Sequence, residues 1–288
     1  MAIVRKATQR DFDGVYSLLS KLILIPSIRK EQWQKLFLNH WRSDEDYVGY
    51  LLEEEGCIVG FLGYLFSKRT INGRIEKFCN MTSWAVEEKY RAKSLGLFYP
   101  LLHLSKCTLT NFTAASNEVN KILKRLGMQV LDNESVLIYP IPSFRDSKEK
   151  TELVYDKSEI EACLIGKDIE IFKDHLSFDC QHVLIRSGAN NCYLIMAEVF
   201  RRRIPILSIQ YISNPDVFKR CVNRILFKLL MRYGKIFLQV DRRLLRGRVI
   251  PNSKIIPWGC EKLYRSETVE KEDVDNLYSE LFLLGIYT

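Results

Sequence analysis

Apolar residues run in short blocks along most of this 288-residue chain, separated by charged and small residues. Ile3-Val4-Arg5-Lys6-Ala7 reads as a short strand. Asp11 then caps an amphipathic helix over Phe12-Asp13-Gly14-Val15-Tyr16-Ser17-Leu18-Leu19. Residues 47–52 and 57–66 are apolar runs around the turn Glu53-Glu54-Glu55-Gly56, a hairpin signature. A further strand is predicted over 78–86. Leu95, Leu97, Phe98, Leu101, Leu102 and Leu104 recur after it at helical spacing. Residues 107–113 read as another strand, and 117–128 as a helix ended at Gly127.

The junction between the strand ending in Trp84-Ala85-Val86 and the helix after it carries the first hint of chemistry. It reads Arg91-Ala92-Lys93-Ser94-Leu95-Gly96. A helix start leaves backbone N–H groups unpaired and carries partial positive charge, which favours an anion. Ser94 and Gly96 let a bulky phosphate approach the backbone, and Arg91 and Lys93 add charge. An ordinary helix start with a solvated basic face gives the same six residues.

This hexapeptide resembles the coenzyme A pyrophosphate motif of the GNAT acyltransferase superfamily, Arg/Gln-x-x-Gly-x-Gly/Ala, with Ser94 in place of the first glycine. The helix from Asn117 to Leu126-Gly127-Met128 resembles the second signature of that family, in which an asparagine lies beside the pantetheine arm. Asn117 equally serves as a helix N-cap, and both readings can hold together. The resemblance covers roughly residues 3–141. It implies a mixed, mostly antiparallel sheet flanked by helices, an α/β (α+β) class of fold.

A boundary is predicted near Pro140-Ile141-Pro142, where two prolines and a charged run follow the strand Val136-Leu137-Ile138-Tyr139. Beyond it the order of elements repeats. A short helix begins at Ile160, and 182–186 and 192–197 flank the turn Ser187-Gly188-Ala189-Asn190-Asn191. Residues 206–212 form a strand, Pro215 opens a helix reaching about Tyr233 with Gly234 as its stop, and 236–240 is the next strand. The expectation is two GNAT-like units, 1–144 and 159–288, joined by a linker at 145–158. In the second, Ser213-Asn214-Pro215-Asp216-Val217 stands where the phosphate turn would be. Its proline lacks an N–H and its acid opposes a phosphate, so this unit is read as having lost cofactor binding. It either shapes the acceptor site or packs against the first sheet.

The resemblance implies direct acyl transfer from acetyl-CoA or another acyl-CoA to a primary amine. The strand around Ser83, Trp84, Ala85 and Val86 is the family's place for backbone groups that polarise the thioester, and Arg91, Ala92, Lys93, Ser94, Leu95, Gly96 and Asn117 are its cofactor positions. Proton transfer is where the chain departs. Leu123 occupies the place of the family's tyrosine acid, and Asn80, Met81, Thr82 and Ser83 replace its strand glutamate. Substitutes are Ser83, Thr82, Ser116 and Glu76, each of which also fits a strand or a cap without chemistry. His40 lies in the aromatic segment 33–41, which in the family faces the acceptor. His103 is expected to be packed or exposed, and His175 and His182 have no evident partner.

Composition narrows the function classes. The 47% hydrophobic content supports more than one core, and no apolar run reaches the ~20 residues of a membrane span. The start Met1-Ala2-Ile3-Val4-Arg5 lacks a secretory layout, which predicts a cytoplasmic protein. The eight cysteines are scattered without a Cys-x-x-Cys pair, which argues against zinc and for buried free thiols, Cys57, Cys107, Cys192 and Cys221 among them. A net charge of +8 suits anionic partners. Arg201-Arg202-Arg203 and Asp241-Arg242-Arg243 with Arg246 and Arg248 are read as charged strand edges rather than a nucleic-acid surface, because no aromatic platform interleaves them. Two functions of different classes follow: an N-acyltransferase acting on a small-molecule amine, or a non-catalytic tandem GNAT-like binding or scaffold module, with or without coenzyme A binding.

Overall fold

The computed structural model describes residues 2–23, 28–38, 41, 43–113, 116–140, 150–201 and 203–286, with backbone alone at 258–260. These fall into two compact units. The first comprises Met1–Leu131 with the late segments Cys260–Glu270 and Tyr278–Ile286. The second comprises Asp132–Gly259 with Lys271–Leu277. The expected cut at 1–144 and 159–288 keeps each half continuous, whereas the chain returns to the first unit near its end.

The first unit has strands β1 (Ile3–Ala7), β2 (Gly49–Glu54), β3 (Cys57–Ile71), β4 (Arg74–Val86) and β5 (Cys107–Asn111), with helices α1 (Phe12–Leu22) and α2 (Lys30–Lys35) after β1. The sheet runs β1-β2-β3-β4-β5 and then β12 (Ser253–Arg265). Pairing is antiparallel except β4 with β5, which is parallel over Lys77↔Cys107 to Asn80↔Thr110. Leu263 to Arg265 of β12 pair with Asn111 to Leu109. Residues 136–139 were expected to close this sheet. They lie instead in β6 (Gln129–Ile138) or just after it, and β6 pairs within the second unit, from Ile138↔Leu238 to Ser135↔Asp241. Local periodicity shows a strand but not its partner, and here the partner lies about a hundred residues away in sequence.

Local chemistry explains most of these elements. The Thr8 N–H donates to Asp11 Oδ2 at 2.8 Å, the acid half of a capping box ahead of α1. Phe12, Val15, Leu18 and Leu19 form the buried face of α1, and Phe12 meets Phe37 edge-on at 5.2 Å. The β2–β3 hairpin turns at Glu55 and Gly56, both left-handed (φ 51° and 76°), as a two-residue primed turn requires. Gly49 has φ +146°, and a Cβ there would sit 2.2 Å from the Leu62 carbonyl oxygen. Gly49→Ala is therefore expected to lower the stability of this unit by at least about 2 kcal/mol, read by urea denaturation, with β2–β3 amides losing exchange protection.

The segment after β4 differs from expectation. In place of one helix over 95–104, Glu88–Leu97 is a 3-10 helix and α3 spans only Tyr99–Leu102. Pro100 near the start of α3 cannot donate to the preceding turn, so no continuous α-helix passes through it. Leu97, Phe98 and Leu101 are still buried, so the apolar positions packed as the spacing implied while the backbone did not. Helix α4 (Asn117–Arg125) follows β5 and stops before Gly127, which is left-handed at φ 89°.

The second unit contains β7 (Thr151–Val154), α5 (Lys157–Cys163), α6 (Lys167–His175), β8 (Gln181–Ser187), β9 (Asn190–Arg201), β10 (Ile204–Ile212), α7 (Pro215–Tyr233) and β11 (Phe237–Asp241). Its sheet runs β6-β11-β10-β9-β8-β7, and only β10 with β11 is parallel. Asn214 caps α7 by accepting the Val217 N–H at 3.2 Å, and Gly234 ends it at φ 61°. The buried face of α7, from Val217 and Phe218 to Leu230, packs on the apolar face of this sheet. The 3-10 turn Arg242–Leu245 follows β11, and the short helix α8 (Glu280–Leu284) belongs to the first unit. Each unit thus repeats strand, helices, hairpin, strand, helix and strand, with one parallel pair. Among the described residues no helix is long and apolar enough to cross a membrane.

Candidate active site

The parallel pair β4–β5 of the first unit comes apart at its C-terminal end. Phe61 pairs with Ala85 and Gly63 with Thr82, so Ser83 and Trp84 together oppose Leu62 alone, a β-bulge. Ser83 has φ 55°, a strained conformation for a residue with a side chain. The bulge bends β4 away, and its pairing with β5 stops after Asn80↔Thr110. Asn111 still reaches across, donating from Nδ2 to the Met81 carbonyl at 3.0 Å.

A cavity of about 280 Å³ lies in the splay. Its polar wall is Thr82, Ser83, Asn111, Thr113 and Ser116. Trp33, Met81, Trp84, Phe98 and Val119 are prominent on its apolar side. Trp84 stands edge-on to Phe98 with ring centres 4.6 Å apart. Asn111 Oδ1 is buried and has no hydrogen-bond partner among the described residues. A buried acceptor without a partner costs stability.

Of the residues singled out in the sequence, Ser83, Trp84 and Ser116 line this cavity, with Thr82 beside them. The Ser83 hydroxyl is 3.1 Å from that of Thr82. Ser116, rather than Asn117, caps α4: its Oγ accepts the Val119 N–H at 3.2 Å, and Asn117 is an exposed first helical residue. Ala85 is buried and Val86 half-buried, away from the cavity lining. Arg91, Ala92, Lys93 and Leu95 are exposed, and Ser94 and Gly96 half-buried, on the 3-10 segment. The Ser94 hydroxyl donates to the Arg91 carbonyl at 2.6 Å. The anticipated anion cradle at the start of a long helix is therefore not formed, and what this segment offers an anion is the charge of Arg91 and Lys93.

Glu76 is half-buried and accepts from Thr268 Oγ1 at 2.7 Å, six residues before Thr82 and so about 20 Å along the strand from the splay. Leu123, at the place of the family's tyrosine, is buried against the cavity. His103 is exposed, and His40 lies outside the described residues.

The sequence reading missed the strongest titratable group near the cavity. Glu280, the first residue of α8, is 0% exposed. Thr113 Oγ1 donates to its Oε1 at 2.6 Å, and its own N–H donates to Asn80 Oδ1 at 3.3 Å. Its Oε2 has no hydrogen-bond partner among the described residues. Burial pushes this carboxyl up to about 7, against the opposing pull of Thr113 and the buried Lys262 on β12. The signal available in the sequence was a lone acid opening the apolar run Leu281-Phe282-Leu283-Leu284.

In the second unit the matching splay is filled by the protein itself. Parallel pairing of β10 and β11 stops at Ile209↔Val240, and the Asn276 N–H donates to the Gln210 carbonyl at 3.4 Å. Asn276 Nδ2 donates to Gln210 Oε1 at 3.1 Å and to Asp241 Oδ2 at 2.9 Å. Arg243 joins them, donating to Asp241 Oδ2 and Asn276 Oδ1 at 2.5 Å each and to the Val274 carbonyl at 2.9 Å. Arg243 is 7% exposed, so it is no solvated strand edge. Arg246 and Arg248 do remain at the surface, paired with Asp273 and Asp216. Arg202 lies outside the described residues.

His182 also has partners that the sequence did not show. A ring nitrogen lies 2.7 Å from the Tyr193 hydroxyl and the other 3.4 Å from Cys180 Sγ. Burial drives the imidazole down to about 4 and the thiol up to about 12, so both stay neutral near pH 7 and the pair lacks a thiolate nucleophile. Cys79, Cys180, Cys192 and Cys221 are buried free thiols, whereas Cys57 is exposed and Cys107 half-buried. Cys57 begins β3 beside the hairpin turn, whereas its place in an apolar run had suggested burial.

Both units are built on one sheet plan, with a strand that carries a register shift leaving its parallel partner. The chain has the fold of the GCN5-related N-acetyltransferases. It superposes on the GCN5-related N-acetyltransferase from Anabaena variabilis ATCC 29413 with a TM-score of 0.58 at 12% identity, over 92% of this chain and 73% of that one. A conserved protein of unknown function from Enterococcus faecalis V583 gives a TM-score of 0.60 at 13% identity, with the same two coverages. A GCN5-related glucosamine N-acetyltransferase region of a fungal multi-domain β-N-acetylglucosaminidase gives 0.57 at 14% identity, over 92% of this chain and 38% of that one. No protein-family profile and no curated protein sequence matches the chain.

Proposed function

We propose that this protein is an acyl-CoA-dependent N-acyltransferase whose first unit holds the thioester arm in the β4–β5 splay. The observation that supports it most is the bulge at Ser83, which opens an apolar cavity beside a strand edge without a ladder partner. Acyl-CoA supplies the activated carbonyl. The residues at hand would then divide the work: Trp84, Phe98 and Val119 enclose the arm and exclude water, and backbone N–H groups of β4 beyond the bulge stabilise the developing oxyanion. Arg91 and Lys93 attract the pyrophosphate by charge, in place of a helix N-terminus. The second unit takes no cofactor, because Arg243, Asn276 and Gln210 occupy its splay.

The acceptor is a primary amine. Trp33 on the cavity wall supports an acceptor approach from the α2 side, and glucosamine is a reasoned first choice because one protein of similar fold is described as acting on it.

The test is isothermal titration with coenzyme A and acetyl-CoA, followed by thiol release with glucosamine, spermidine and a lysine-containing peptide. Binding is expected in about the 1 μM–1 mM range. Val119→Trp, which fills the cavity from a half-buried helical position, and Arg91→Glu should each weaken binding at least tenfold while circular dichroism stays unchanged. Valine at Gly96 is a poorer probe, since even its Cβ would sit 3.4 Å from Val4 Cγ2 and its branches would press on β1. Unaltered affinity in Val119→Trp would place the cofactor elsewhere. Binding without thiol release would favour the non-catalytic module instead.

A further inference from the structure

The proton-transfer residues familiar from this fold are missing from β4 and α4, yet a buried carboxyl touches the cavity wall from a distant part of the chain. Glu280 reaches the first unit on α8, and its Oε1 is joined to Thr113 Oγ1, whose residue lines the cavity. Its second oxygen is buried and unpartnered. An acid needed only for structure would satisfy both oxygens or be replaced by a neutral amide, because an unpaired buried carboxylate is costly.

We propose that Glu280 is a positioning residue for acyl transfer, receiving through Thr113 the proton that the acceptor amine loses as it attacks. The proposal rests on the N-acyltransferase reading above. The neutral amine forms the C–N bond with the thioester carbonyl, giving a tetrahedral intermediate with a cationic nitrogen. That nitrogen passes a proton to Thr113 Oγ as the hydroxyl proton of Thr113 moves to Glu280 Oε1. Collapse then breaks the C–S bond, and the thiolate leaves and takes a proton back from Glu280 through the same hydroxyl. No oxidant or further reactant enters.

The surroundings suit the task. The charged group facing Glu280 is Lys262 from β12, which favours the carboxylate, while Asn80 from β4 and Thr113 after β5 offer neutral partners. Burial outweighs these and holds the carboxyl near neutrality, where a base is both available and strong enough to act. The arrangement was invisible as a motif because Asn80, Thr113 and Glu280 are spread over two hundred residues.

The experiment compares wild type with Glu280→Gln, Thr113→Val and Thr113→Ser, reading coenzyme A affinity by calorimetry and kcat/KM for thiol release between pH 5.5 and 9. Wild type should show an ascending limb with an apparent pKa near 7. Glu280→Gln and Thr113→Val should lower kcat/KM on the order of 10²-fold and lose that limb, with coenzyme A affinity unchanged. Thr113→Ser, which restores the hydroxyl, should recover most of the rate and the limb. A relay is ruled out if Glu280→Gln or Thr113→Val keeps the wild-type profile, or if Thr113→Ser behaves as valine does. It is equally ruled out if wild type binds coenzyme A yet releases no thiol with any acceptor, an outcome that spares the binding site. Failure of wild type to bind coenzyme A overturns the acyltransferase reading itself.

Discussion

Arg243→Met is expected to destabilise the second unit by about 3–5 kcal/mol, the largest effect of any single substitution considered. Arg243 satisfies Asp241 at 2.5 Å, and its backbone N–H donates to Asp132 Oδ2 at 3.0 Å, with the guanidinium 3.4 Å from the same oxygen. Asp132 and Asp241 are both buried. Methionine matches the length of the stem but removes the guanidinium from the buried Asp132 and Asp241 carboxylates. The penalty comes from burying those two charges without the guanidinium rather than from the lost attraction itself. Arg243→Met combined with Asp241→Asn should therefore recover a sizeable part of the loss. Urea denaturation followed by hydrogen exchange in α7, β10 and β11 would measure both. Equal stability of the single variant and wild type would mean that the network is solvated and does not plug the β10–β11 splay.

Glu280→Gln carries the second prediction, this time on stability. The folded carboxyl titrates at about 7, above the ordinary 4.5 of glutamate. Below pH 4.5 both folded and unfolded chains hold the proton, and the contribution is fully present. Between 4.5 and 7 the unfolded chain releases it first, so stability falls as pH rises through the folded value. The loss amounts to about 3 kcal/mol by pH 8 and is undiminished by screening, because the group is fully buried. Glutamine retains an oxygen for Thr113 and does not titrate, so thermal melts of the variant should lack this decline. The readout is the difference between the two proteins, pH by pH, which cancels the other titrating groups. A wild-type curve parallel to that of Glu280→Gln would show that Glu280 is already ionised at pH 5.

These two residues also mark where sequence reading stopped. Asp241-Arg242-Arg243 looks like a charged strand end, and Arg242 does pair at the surface with Glu134. Arg243, one position on, is buried together with Leu244 and Leu245 in the 3-10 turn Arg242–Leu245, held there by Asp241, Asn276 and the Val274 carbonyl. Glu280 sits in an apolar run that says only that the segment is buried. Its partners come from β4, the end of β5 and β12, and no local pattern connects them. Leu97, Phe98 and Leu101 teach the converse lesson: their burial was readable from spacing, but Pro100 redirected the backbone, and the expected phosphate-binding helix start went with it.

The sequence by itself determined the elements that depend on near neighbours. Primed-turn residues at Glu55-Gly56, the capping acid Asp11, Pro215 and Gly234 around α7, and the apolar runs of β2, β3, β8, β9 and β10 act over a few residues, within reach of steric and hydrogen-bond preferences. It also indicated the fold class, since the order of those elements occurs twice. Only the tertiary structure decided which strand closes each sheet, where β4 leaves β5, and which polar groups line the opening. Those outcomes depend on the burial of apolar faces between segments far apart in the chain, and on the cost of leaving Asn111, Glu280 or Arg243 without partners. Both are properties of the packed molecule, which is why Asn111, Thr113 and Glu280 carried no signal in the sequence, whereas Ser83 and Ser116, singled out there, do line the cavity.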